Sequence, residues 1–341
     1  MMYDDTYHDA YDHYEDAFDP MRSDRKARRR RKPKAKHNPK KDERAIIEEL
    51  ADDGAVEINF EITYQPSVYE SGWLVESLKS FYEQGLITDV LAQVKGGKEA
   101  TVYRCRANPQ TGHELLAVKV YRPRMFRNLR NDKVYREGRE IMQIEGGSVK
   151  ENEQRTMRAL EKRSTFGNQL AHTSWLMHEY STLQRLHQVG ADVPQALAVS
   201  DNAVLMAYFG DEQLAAPTLS EVELEPDEAP ALFAAVLRNL ELMLRHNLVH
   251  GDLSAYNILY WDGAVTLIDF PQVIDPGVNS QTQMILARDV ERVCDYFSEQ
   301  GVRCDAEQIT RKLWAQFLAP DPEAQAADLS RFEAAADSAD E

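Results

Sequence analysis

The feature that most constrains this 341-residue chain is the run His250-Gly251-Asp252-Leu253-Ser254-Ala255-Tyr256-Asn257, followed at Leu267 to Phe270 by Leu-Ile-Asp-Phe. Between them, Ile258 to Trp261 and Ala264 to Ile268 are strand candidates separated only by Asp262-Gly263, the strongest short-range hairpin signal a sequence offers. Asp252 follows Leu248-Val249 at a helix-to-strand junction, which places its carboxylate at the edge of a cleft. Asn257 lies five residues further on. Asp269 ends the second hairpin strand behind Val265, Leu267 and Ile268, so its carboxylate is pushed out of an apolar strand. Each of these residues alone is an ordinary cap or turn residue; chance explains the ordered set poorly.

Such a set suits phosphoryl transfer, which asks for held phosphates, a bridging metal and an oriented acceptor, with little covalent chemistry from the protein. Asp252 can accept the acceptor's proton. Asn257 and Asp269 can offer hard oxygens to magnesium, which needs few protein ligands beside phosphate and water. Lys119 stands between Val118 and Val120, so it projects from the opposite face of its strand and can reach phosphate oxygens. Glu179 falls on the helical face marked by Leu176, Tyr180, Leu183 and Leu186. A carboxylate there is costly unless paired, and Lys119 is its natural partner. The loop from Lys95 through Gly96, Gly97 and Lys98 to Tyr103 allows backbone N–H groups to approach phosphate, yet a plain β-turn explains it equally well, and it matches neither common glycine-rich pattern.

Around these residues the chain divides by composition and period. Residues 1–20 carry seven acids and no Lys or Arg, whereas residues 22–44 carry thirteen Lys or Arg against three acids, leaving the rest acidic within an overall charge of −17. Such blocks repel themselves and bury little apolar area, so residues 1–45 are expected to be a disordered tail, acidic and Tyr-rich and then basic. Residues 46–209 form the expected first lobe, 210–319 a trimmed second lobe with the catalytic loop, and 320–341 an acidic tail. Helices are predicted over 73–86, 174–188, 232–245, 284–297 and 306–318. Strands are predicted on both sides of Gly96-Gly97 within 90–103, and over 115–121 and 203–209. Residues from about 124 to 172 are polar and read as a mobile insertion. A strand-rich first half and a helix-rich second half imply an α+β fold of two lobes with a cleft between. The three widely spaced cysteines fit a reducing compartment, and no stretch approaches 18 apolar residues, so a cytoplasmic protein without a membrane span is expected. The basic segment 22–44 is a candidate arm for RNA or another polyanion, or a solvated tail folding back on the acidic body.

The chain resembles the RIO-type atypical protein kinases. The residues that carry the resemblance are Gly97-Lys98-Glu99-Ala100-Thr101-Val102-Tyr103, Ala117-Val118-Lys119-Val120-Tyr121, Phe126-Arg127-Asn128, the Glu179 helix, Pro194, Val204-Leu205-Met206, the His250 to Asn257 run, and Ile268-Asp269-Phe270-Pro271-Gln272. The resemblance implies a two-lobed protein-kinase-like fold and a serine/threonine protein kinase using ATP and Mg2+. Gly97 and Lys98 would lie at the phosphates, Lys119 would bind phosphate with Glu179 as its partner, and Met206, Tyr208 and Phe209 would form the hinge beside adenine. Asp252 would be catalytic, and Asn257 and Asp269 would hold magnesium. Asp269 is also the position implicated in the family as an aspartyl-phosphate acceptor, so ATP hydrolysis is as well motivated as protein phosphorylation. The partners implied are ATP, an unidentified protein substrate, and RNA or a ribosomal particle.

Two departures from ordinary protein kinases bear on regulation: Gly251 replaces the usual arginine, and Pro271 replaces a glycine, which argues against control by an activation loop. The competing readings are a small-molecule phosphotransferase of the aminoglycoside or choline kinase type, for which only about 20 residues (Gly210 to Ala229) are available after the hinge, and an ATPase switch for ribonucleoprotein assembly.

Overall fold

Alternation along Leu115–Tyr121 sets the architecture. Leu116, Val118 and Val120 are buried in one apolar cluster, while Ala117 and Tyr121 belong to another, so this strand separates two cores. The computed structural model describes residues 61–66, 68–97, 100–121 and 165–318. Both tails with the basic segment 22–44, the predicted insertion as far as residue 164, and Lys98 lie outside them.

The strands are β1 (Glu61–Ile62), β2 (Ile87–Gly96), β3 (Ala100–Ala107), β4 (Leu115–Tyr121), β5 (Ala196–Val199) and β6 (Ala203–Ala207), in a six-stranded sheet of order β1-β2-β3-β4-β6-β5. β1 runs parallel to β2, and the other neighbours are antiparallel. Helix α1 (Val68–Glu83) lays Leu74, Leu78 and Phe81 on the outer face against Tyr103, Cys105, Leu116, Val118 and Leu205. It stops where Gly85 takes φ 67° and Leu86 N–H bonds back to Phe81 O at 2.9 Å, a glycine termination. Helix α2 (Thr165–Gln188) begins earlier than its apolar spacing indicated and ends before Gly190 at φ 83°.

The remaining elements are α3 (Ala229–Arg245), the hairpin β7 (Ile258–Trp261) and β8 (Ala264–Leu267), α4 (Thr282–Glu299) and α5 (Ala306–Leu313), extended by a π-turn over Trp314–Leu318. Asp262 and Gly263 both have positive φ (50° and 73°), the conformation that lets a two-residue turn follow the twist of its strands. Leu232, Val236, Leu240, Met243 and Leu244 of α3 are buried with Ile285, Val290, Val293 and Phe297 of α4. That cluster continues onto the inner sheet face through Ala117, Tyr121, Val204 and Met206. The result is the α+β, two-lobed protein-kinase-like fold expected from the sequence. Two elements were not expected: β1, only two residues long, and β5, four residues at the sheet edge and too short to show a period. Among the described residues no helix is long and apolar enough to cross a membrane.

Candidate active site

Strand alternation turns Lys119 away from the outer core and toward the second lobe. Its ammonium lies 2.6 Å from Glu179 Oε1 of α2 and 2.5 Å from Asp269 Oδ1, just beyond β8. Three elements far apart in sequence thus converge on one cation. Tyr121, two residues along β4 and on the same face, donates its hydroxyl to Glu179 Oε2, and the Lys119 ammonium stands 5.0 Å from the Tyr121 ring centroid. The Glu179 side chain is 1% exposed, so these donors compensate a carboxylate taken out of water.

Electrostatics follow from that geometry. Burial raises the Glu179 pKa above the ordinary carboxyl range against the pull of Lys119, with the Asp269 charge adding to the rise. Partial removal from water also opposes ionisation of Asp269, but Lys119 outweighs it, helped by His250 and Lys95, and the carboxyl is held below its ordinary value. For Lys119, the two carboxylates overcome the cost of burial and raise the ammonium's pKa.

Asp269 has φ 70°, a left-handed conformation that costs a non-glycine residue energy and aims the side chain off the end of β8. Its neighbours are pinned. Ile268 N–H bonds Asn257 O at 2.9 Å, Ile268 O meets His250 Nε2 at 3.1 Å, and the His250 and Phe270 rings pack at 4.7 Å. His250, fully buried, therefore ties the two halves of the motif together.

Asp252 and Asn257 form a second group. Asn257 Nδ2 donates to the Asp252 carbonyl at 2.8 Å and to Asp252 Oδ2 at 3.2 Å, while Arg292 Nη1 of α4 donates to Asp252 Oδ1 at 2.7 Å. The loop backbone is held from the same helix: Gly251 N–H bonds Asp289 Oδ2 at 2.8 Å, and Arg288 donates to the Gly251 carbonyl. Gly251 has φ 84°, and a Cβ built there would overlap the carbonyl oxygen of Gln272, so the position that carries arginine in ordinary protein kinases has no room for a side chain.

Of the other predicted site residues, Met206 is buried near the end of β6, followed by half-buried Tyr208 and Phe209. The Arg104 guanidinium stands 6.0 Å from the Tyr208 ring, and Phe209 O accepts from Ala216 N at 3.0 Å. Gly97 closes the β2–β3 turn through its N–H to Ala100 O at 2.9 Å. The structure thus joins Lys119, Glu179 and Asp269 by direct contact and Asp252 with Asn257 by another, with Asn257 bonded to Ile268 linking the two; Gly97 lies in the β2–β3 turn, and Met206 to Phe209 lie at and just beyond the end of β6. The donor chemistry fits magnesium: Asp269 is 40% exposed, and Asn257 uses its amide nitrogen on Asp252, which leaves the amide oxygen to meet a cation.

Sequence reasoning quoted His250 and Tyr121 within its motifs without assigning either a role, and it missed Arg288, Asp289 and Arg292. The last three had a readable signal, since charged residues interrupt the apolar face of Ile285, Leu286, Val290 and Val293, the argument that singled out Glu179.

A family model, the RIO domain, matches residues 101–309, a stretch holding Lys119, Glu179, Asp252, Asp269 and the hairpin. The chain belongs to the RIO family. Among RIO proteins it is 28% identical over 230 residues to the serine/threonine-protein kinase RIO1 of Chaetomium thermophilum, covering 64% of this chain and 41% of that protein. It is 33% identical over 137 residues to the RIO-type serine/threonine-protein kinase Rio1 of Haloferax volcanii (40% and 46% covered) and 33% identical over 131 residues to human serine/threonine-protein kinase RIO3 (38% and 25%). These matches span less than half the length of each relative. The RIO-domain match includes α4, so the Arg288, Asp289 and Arg292 contacts lie within the family's own domain.

Proposed function

We propose that this chain is an ATP- and magnesium-dependent RIO-type serine/threonine protein kinase of the cytoplasm. The observation that carries the reading is the Lys119 ammonium held between Glu179 and Asp269, at 2.6 and 2.5 Å. It presents a fixed positive charge where the sheet faces the hairpin, the arrangement that positions α- and β-phosphates. Met206, Tyr208 and Phe209 would flank adenine, and Gly97 with Lys98 would cover the phosphates. Magnesium, bound by Asn257 and Asp269, would neutralise charge on the transferred phosphoryl group. Asp252 would orient the acceptor hydroxyl and take its proton.

A second outcome for the γ-phosphate is favoured by a specific contrast. Both Asp252 oxygens are hydrogen-bonded and its side chain is 8% exposed, whereas the Asp269 side chain is 40% exposed. In this reading an Asp269 oxygen attacks the γ-phosphorus, the bond to the β–γ bridging oxygen breaks and ADP leaves; water then hydrolyses the acyl phosphate, restoring the carboxylate and releasing phosphate. The chain would then act as an ATPase switch, with RNA or a ribosomal particle reached through residues 22–44. The small-molecule phosphotransferase reading is weakened by the short Tyr208 to Glu228 connection between β6 and α3, which offers little to enclose an acceptor.

The test incubates the protein with γ-labelled ATP and magnesium beside Asp252→Ala and Asp269→Ala. Label on an added protein, lost in both variants, supports the kinase. Label only as free phosphate or as a hydroxylamine-sensitive adduct lost in Asp269→Ala supports the switch. ATP turnover unchanged in both variants would overturn the assignment.

A further inference from the structure

Strand β2 carries a bulge beside the glycine turn that changes which way its last charged residue points. Gln93 pairs with Tyr103, but Lys95, two residues on, pairs with Val102, so Val94 is an extra residue with no cross-strand partner. The consequence is a change of face. Gln93 sits on the outer face, where its amide oxygen accepts from Tyr64 at 2.9 Å beside the packed rings of Tyr64 and Tyr103. Regular alternation would put Lys95 on that same face, opposite Thr101. The bulge instead sets it opposite Val102.

Val102 also pairs with Lys119 on β4, so Lys95, Val102 and Lys119 form one row across three strands. Directly opposed residues share a face of an antiparallel sheet, and this is the inner face, where Val102 packs on the inter-lobe core. The Lys95 and Lys119 Cα atoms are then two strand spacings apart, about 10 Å. They differ in what they face. Lys119 is committed to Glu179 and Asp269. Lys95 is exposed, and among the described residues no carboxylate lies within ion-pair distance of it, although its charge is felt at Asp269. A long cation of this kind beside a glycine turn, aimed over a half-exposed carboxylate, is suited to a ligand that brings its own negative charges.

We propose that Lys95 is a second phosphate-binding residue of this site, directed by the β2 bulge to contact the phosphate chain of the nucleotide together with Lys119. The proposal rests on the nucleotide-binding reading above and assigns the ligand's charged end to two lysines rather than one. It predicts that Lys95 strengthens the binding of ATP and ADP but not of adenosine.

The test is equilibrium binding of ATP, ADP and adenosine, with magnesium, to the full chain and to Lys95→Ala and Lys95→Arg. Lys95→Ala should weaken ATP and ADP about tenfold, the effect of one charge-assisted contact, and leave adenosine unchanged. Lys95→Arg should retain most of the affinity, because the charge and reach are kept. Equal weakening of adenosine, no weakening of any ligand, or an arginine variant as weak as the alanine variant would overturn the role of Lys95 alone. Failure of the unmodified chain to bind ATP or ADP would overturn the nucleotide-binding reading itself, and this proposal with it.

Discussion

Arg292 donates to Asp252 at 2.7 Å, with side-chain exposures of 4% and 8%, so the carboxylate at the centre of the catalytic loop is held by a buried cation from α4. Removing one member of such a pair strands the other charge away from water. Arg292→Met is therefore expected to cost about 3 to 5 kcal/mol in urea-induced unfolding and to abolish phosphoryl transfer. The double variant Asp252→Asn/Arg292→Met should lose clearly less stability than the two single losses added together, because neither charge is stranded. Additive losses would show that the pair is not coupled.

Gly251 and Gln272 meet so closely that a side chain at 251 has no space, and Gly251 also needs φ 84°. Gly251→Ala is expected to destabilise by at least about 2 kcal/mol, combining the left-handed penalty with displacement of the 271–274 segment. Gly263→Ala provides the control: its φ is 73° but a Cβ would meet nothing within 4 Å, so only the conformational cost of about 1 kcal/mol should appear. Thermal unfolding of the two variants separates the terms, and equal losses would mean that the Gln272 contact is unimportant.

The different legibility of these features has a physical cause. Lys119 and Glu179 were readable because each breaks a strong local rule, a charge within an apolar strand and a charge on an apolar helical face, and each break demanded a partner. Asp262-Gly263 was readable because two positive φ values leave few residue choices. The Arg292 contact was harder: α4 was recognised as a helix, but which loop its charged face would meet depends on how helix and loop pack. The match of Gly251 to Gln272 depends on two backbone segments approaching each other, which no residue pattern encodes. The bulge that redirects Lys95 is a register shift of one residue, and strand propensity is blind to it.

Lys119 and Glu179 should separate stability from activity. Lys119→Met leaves Glu179, 1% exposed, facing Asp269 without its cation, and is expected to lower the urea midpoint and to abolish nucleotide-dependent transfer. Adding Glu179→Gln should restore more than half of the lost stability, since the amide oxygen still accepts from Tyr121 and carries no charge. Transfer should not return. Recovery of activity in the double variant would remove Lys119 from the phosphate site.

The opposed shifts of Asp269 and Glu179 predict opposed pH dependences. Asp269 is held below its ordinary value of 3.8, so its ionised form stabilises the folded state above that pH, and the contribution fades as pH falls through the lowered value. Glu179 is raised above its ordinary 4.5, so its contribution is complete below that pH and is lost as pH rises through the raised value. Urea unfolding between about pH 3 and pH 7 should therefore show the stability of the unmodified chain relative to Asp269→Asn shrinking toward acid. Its stability relative to Glu179→Gln should shrink in the other direction, toward neutral pH. Lys119 stays charged across this range and adds no slope of its own, because its raised pKa places its titration at alkaline pH. If both differences slope the same way, the two carboxylates do not divide the Lys119 charge as the geometry indicates, and Asp269 loses the electrostatic bias that keeps it ionised to meet a cation or a phosphoryl group.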